Sequence, residues 1–88
     1  MAPTPRKLTA KLPAHEAASI ILAMIELVGC TVEIRYTGRT ACVAARVPAA
    51  KGRPVQYLLV KTTARSRDRA LHRAARELAE KVAETHLA

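Results

Sequence analysis

From Ala14 to Val28 the apolar residues recur every three or four positions, and from Thr31 onward the recurrence shortens to two. The first spacing is that of an α-helix, the second that of a β-strand covered on one side. On a wheel of about 100° per residue, Ala17, Ile20, Ile21, Met24, Ile25, Leu27 and Val28 share one band. His15, Ser19 and Glu26 lie opposite, and Leu22 falls outside the band, near the polar side. Pro13 is tolerated in a first helical turn, Glu16 suits its positive end, and Gly29 provides a stop after the last apolar position.

Thr31 to Thr37 alternates Val32, Ile34 and Tyr36 with Glu33, Arg35 and Thr37, which predicts a strand. Thr37-Gly38-Arg39 turns the chain. Ala41 to Val47 predicts a second strand, with Val43 and Val47 on one face and Cys42, Ala44 and Arg46 on the other. Pro48 ends it, because proline has no amide to donate to a ladder. After the loop Pro48 to Pro54, Val55 to Thr62 sets Val55, Tyr57 and Leu59 against Gln56, Leu58 and Val60. A run apolar on both faces predicts a central or well covered strand. Ser66 then offers an N-cap and Asp68 an acid for the first turn of a closing helix, Arg67 to about Thr85. Leu71, Ala74, Ala75, Leu78 and Val82 form its apolar stripe. On its outer side Arg69, Arg73, Arg76, Glu80 and Glu84 are spaced for ion pairs three or four residues apart.

This order predicts an α+β fold, α-β-β-β-α, in which a three-stranded antiparallel sheet is covered on one face by both helices. Arg35, Arg46 and Gln56 are then placed on the uncovered face. With 88 residues there is room for one domain, residues 13–88, preceded by a basic arm, MAPTPRKLTAKL, over residues 1–12. Hydrophobic residues make up 50% of the chain, but 18 of the 88 residues are Ala and none is Phe or Trp, so the core is close-packed and small.

Charge alters this picture more than composition does. Between Arg35 and Arg69 there are nine basic side chains and one acid, Asp68, whereas the flanking segments are nearly balanced. A local surplus of that kind attracts polyanions. The candidate contact residues are Arg35, Arg39, Arg46, Lys51, Arg53, Arg65, Arg67, Arg69 and Arg73.

The closing helix opens with Ser66-Arg67-Asp68-Arg69-Ala70-Leu71-His72-Arg73-Ala74-Ala75. This stretch resembles the second helix of the double-stranded RNA-binding domain, whose signature is of the type Ser-Lys-Lys-x-Ala-Lys-x-x-Ala-Ala. Ser66, Arg67, Ala70, Ala74 and Ala75 match in kind, while Asp68 and Leu71 stand where that family has basic residues. The family's Gly-Pro-x-His element between the first two strands is absent, the turn Tyr36 to Thr40 being much shorter. In layout the resemblance spans about residues 13 to 85, and it implies the same α-β-β-β-α order and an RNA ligand. Duplex suits the composition better than single strands, which are read by stacking bases on aromatic side chains; only Tyr36 and Tyr57 are present. Arg65, Arg67 and Arg69 would sit across phosphates, with Arg39, or Lys51 and Arg53, as a second contact.

Enzyme chemistry is not offered. His15, His72 and His86 are far apart, no Gly-rich phosphate loop exists, and Ser19 and Ser66 lack partners for nucleophilic catalysis. Catalytic residues, a cofactor and a metal site are accordingly not expected. Cys30 and Cys42 have no metal-ligand spacing and read as buried small hydrophobes, with a cross-strand disulfide as the alternative. The run Ala17 to Val28 is too short to span a bilayer, and the amino terminus lacks the apolar stretch of a signal peptide. A reducing, cytoplasmic setting is expected.

Two functions follow. One is a non-enzymatic basic module recognising structured or double-stranded RNA, or a nucleoprotein presenting it. The alternative is a small protein-binding inhibitor or adaptor acting on a nucleic-acid-handling complex, its basic surface filling a groove meant for nucleic acid or meeting an acidic patch, in the manner of small phage and mobile-element proteins such as the anti-CRISPR proteins. The broad apolar band of the first helix adds a third expectation, a homodimer.

Overall fold

A computed structural model of the chain describes residues 13–87, so the basic arm expected over residues 1–12 lies outside the described residues. The elements follow the expected order: α1 (Ala14–Leu27), β1 (Thr31–Thr37), β2 (Thr40–Val47), β3 (Gln56–Thr63) and α2 (Arg67–Leu87). The three strands form one antiparallel sheet in the order β1-β2-β3. Both helices lie on one face of it, giving an α+β fold.

Local chemistry sets the corners. Pro13 precedes α1 with φ −56° and ψ 148°, and its carbonyl accepts from the amide of Ala17 at 3.0 Å. Gly29 ends the helix with φ +97°, a conformation in which a Cβ is unfavourable. Gly38 and Arg39 form a two-residue hairpin loop between the paired Thr37 and Thr40. Positive φ at Gly38 alone is the pattern of a type II′ turn, whose twist matches that of the flanking strands. At α2 the Ser66 hydroxyl accepts from the amide of Arg69 at 3.2 Å, the expected cap.

The core lies between sheet and helices. Ala41, Val43, Ala45 and Val47 of β2 are buried, as are Ala70, Leu71, Ala74, Ala75, Leu78 and Val82 of α2. Leu78 and Val43 are the largest side chains completely enclosed. With so many alanines at the contact, α2 rests directly on β2 and β3, and Thr62 fastens it by donating its hydroxyl to the Ala70 carbonyl.

Several expectations are corrected. The buried flank of α1 is Ala18, Leu22 and Ile25, so Leu22 is a core residue while Ile20, Met24, Leu27 and Val28 are exposed. The reason is that α1 packs chiefly against α2 and only lightly on β1, which rotates it toward one edge of its apolar band. For the same reason β1 is less covered than its alternation implies, with Ile34 and Tyr36 open to solvent on the helix side. The central strand is β2, and β3 is an edge strand whose second apolar set, Tyr57 and Leu59, meets water. Gln56 pairs opposite the buried Val47 and therefore faces the helices, where its Oε1 is buried without a partner. Among the described residues the charged side chains of α2 form no ion pair with one another; the pairs present are His15 with Asp68 and Arg35 with Glu33. Both thiols are free, and they lie on opposite sides of the sheet. Cys30 is buried beneath the helices, whereas Cys42 is half-exposed on the open face.

Candidate nucleic-acid interface

The candidate cations fall into three groups. At the end of the molecule where α2 begins, the β1–β2 hairpin folds against the start of the helix. Arg67 Nε donates to the Gly38 carbonyl at 2.8 Å, and its guanidinium lies 5.3 Å from the centre of the Tyr36 ring. The amide of Ala64 donates to the Arg39 carbonyl at 3.4 Å, and the hydroxyls of Thr40 and Thr63 meet at 2.7 Å. Arg39 and Arg65 thereby become neighbours across the strand ends, beside Arg67 and Arg69 in the first turn of α2. Arg73 follows Arg69 one turn later on the same exposed side.

Asp68, the one acid in this stretch, is turned toward α1. Its carboxylate lies 3.9 Å from His15 Nδ1 at the start of α1, with both side chains exposed. The side chains of Arg39, Arg65 and Arg69 have no hydrogen-bond or ion-pair partner among the described residues, and all three are exposed. Four arginines are thus carried by the start of α2 and by the turn and strand end beside it, where the helix dipole adds positive potential.

A second group occupies the open face of the sheet. Arg35 and Lys61 flank Cys42 in one cross-strand row, and Arg46 lies between Thr31 and Tyr57 in another. Arg35 is engaged by Glu33, with Nη2 3.0 Å from Oε1. Lys61, Tyr57 and Leu59 on this face were not among the candidate residues. Their alternation with Leu58 and Val60 was visible, but only the placement of both helices on the opposite face of the sheet decides that this side stays open.

The third group is at the opposite end. Lys51 and Arg53 belong to the β2–β3 loop, which is closed by reciprocal bonds between Ala50 and Arg53 at 3.1 and 2.8 Å. Arg53 is half-buried and donates to the Thr85 carbonyl, capping the C-terminal end of α2 where positive charge is favourable. A helix of 21 residues is about 30 Å long, and that length separates this pair from Arg65–Arg69.

No group of three or more His, Cys, Asp or Glu able to hold a metal ion occurs among the described residues, and none of their helices is long and apolar enough to cross a membrane. Burial pushes the Cys30 thiol pKa up, which disfavours the nucleophilic thiolate there. No protein-family model, curated protein or solved structure matches the chain. The likeness to the double-stranded RNA-binding domain therefore stands at the level of the α-β-β-β-α arrangement.

Proposed function

We propose that the chain is a non-enzymatic basic module that binds structured, double-stranded RNA through the arginine-bearing start of α2. The observation that carries this reading is the docking of the Gly38–Arg39 turn onto the start of α2 through Arg67, which brings Arg39 beside Arg65 on rigid elements, one turn-length from Arg69, with no partner for these three side chains among the described residues. Phosphates are bound by such an arrangement without any readout of base edges, which suits an A-form duplex. Stacking on single strands is poorly served, since Arg67 occupies one side of the Tyr36 ring and Tyr57 is the one other aromatic side chain. The test is titration of the purified chain with duplex RNA at two salt concentrations, with one of its strands alone as the comparison. Tighter binding to duplex that weakens steeply with salt supports the reading; salt-indifferent or strand-preferring binding refutes it.

A second reading, that of an adaptor or inhibitor meeting a protein with an acidic surface, is favoured by the open sheet face. Tyr57, 77% exposed, and Leu59 stand beside Arg46 there, and Tyr and Arg around an apolar centre are typical of protein-binding hot spots. Purification after nuclease treatment separates the two. A stoichiometric protein lost on Tyr57→Ala supports the adaptor, and co-purifying RNA lost on nuclease treatment supports the duplex binder.

A further inference from the structure

We infer that the chain pairs with a second copy of itself through α1 and the groove beside it. Only one flank of the apolar band of α1 is used inside the molecule. Ile20, Met24 and Leu27 recur at spacings of four and three, so they form a continuous stripe along the outer side of the helix, and Leu27 is 84% exposed. Next to this stripe a groove of about 640 Å³ runs between the C-terminal halves of the two helices. Ile25, Ala79 and Val82 are among its apolar walls, and Arg76 and Glu80 stand among its lining residues.

Ile20, Met24, Leu27 and Val28 are each half or more exposed, which with the groove makes a contiguous apolar surface of the kind that marks an interaction site. The charge distribution selects the occupant. In a chain of net charge +8, α1 carries no Lys or Arg and does carry Glu16 and Glu26. A second copy can approach along α1 without meeting a cation of that helix, Arg76 of the groove being accompanied by Glu80. A twofold contact also suits a rim with one cation and one anion, since Arg76 and Glu80 can each meet the opposite charge on the copy. The segment before Pro13 is a poorer occupant, because Met1, Leu8 and Leu12 are its only large apolar side chains. Assembly through α1 leaves the start of α2 outward on both copies. It does not depend on the RNA reading, and it converts either function into a bivalent one.

Sedimentation of the full-length chain, nuclease-treated and in high salt, tests the assignment between about 1 and 100 μM. The expected result is a concentration-dependent monomer–dimer equilibrium. Leu27→Glu and, separately, Met24→Glu weaken it at least about tenfold, with circular dichroism confirming an unchanged fold. Leu59→Glu, which places the same charge on the open sheet face, leaves it unchanged. A monomer throughout the range overturns the proposal, as does a dimer that resists both α1 variants or yields to Leu59→Glu.

Discussion

Replacing Arg39, Arg65 and Arg69 together by Ala isolates the charge at the start of α2 from the charge elsewhere. These three are chosen because their side chains have no partner among the described residues, whereas Arg67 grips the Gly38 carbonyl and the Tyr36 ring, and Arg53 caps α2. Exposed side chains without partners change stability by no more than about 0.5 kcal/mol each, so the triple variant stays folded. If each arginine neutralises one phosphate, the logarithmic salt slope of duplex binding falls by about 2.5 units. Between 50 and 200 mM salt the wild-type chain then loses about thirty times more affinity than the variant does. Fluorescence titration with a labelled duplex over four salt concentrations measures both slopes. The control is Arg46→Ala with Lys61→Ala on the open face, which leaves the slope nearly unchanged. An unaltered slope in the triple variant, or an equal loss in the control, refutes the assignment and returns the attraction to net charge alone.

Three further outcomes test the packing. Leu22→Ala costs about 3 kcal/mol in denaturant unfolding at low protein concentration, because it empties a core position, while Leu27→Ala costs less than about 0.5 kcal/mol; comparable losses would contradict the rotation of α1 described above. Gln56→Met raises stability by about 1 kcal/mol, since it removes a buried oxygen that has no partner, and a loss in thermal melts would mean that the oxygen is satisfied. Ellman's reagent titrates Cys42 in the folded chain and Cys30 only after unfolding. Because burial raises the Cys30 pKa, its stabilising contribution is complete below the ordinary thiol value of about 8.5 and is lost as pH climbs through the raised one. Cys30→Ala therefore flattens the alkaline decline in stability.

Element order, the helix stop at Gly29 and the N-cap were legible because each depends on neighbours in sequence, whereas the closing helix runs on to Leu87, past the expected end at Thr85. Ser66 needs only the amide of Arg69, Gly29 only its own φ, and the alternation of β2 only the pleat. The stripe of α2 was legible as well, since a narrow apolar face with Arg and Glu opposite can be buried in one way. The band of α1 was different. It is wide enough to be buried along either margin, and the choice between Leu22 and Leu27 was made by where α2 stands, which no local spacing encodes. In the same way, a strand apolar on both faces does not say which face is covered, and Tyr57 and Leu59 are exposed because both helices stand on the side of Leu58 and Val60.

For the candidate site, the sequence by itself determined that cations accumulate between Arg35 and Arg69. Tertiary structure decided which of them are neighbours and which are engaged: Arg39 comes beside Arg65, Arg35 is held by Glu33, and Lys51 and Arg53 end about 30 Å away. Charge is a property of residue types and can be counted along a chain. A surface that gathers charge is a property of distances, and these were set here by the hairpin turning back onto the start of a helix 29 residues further on.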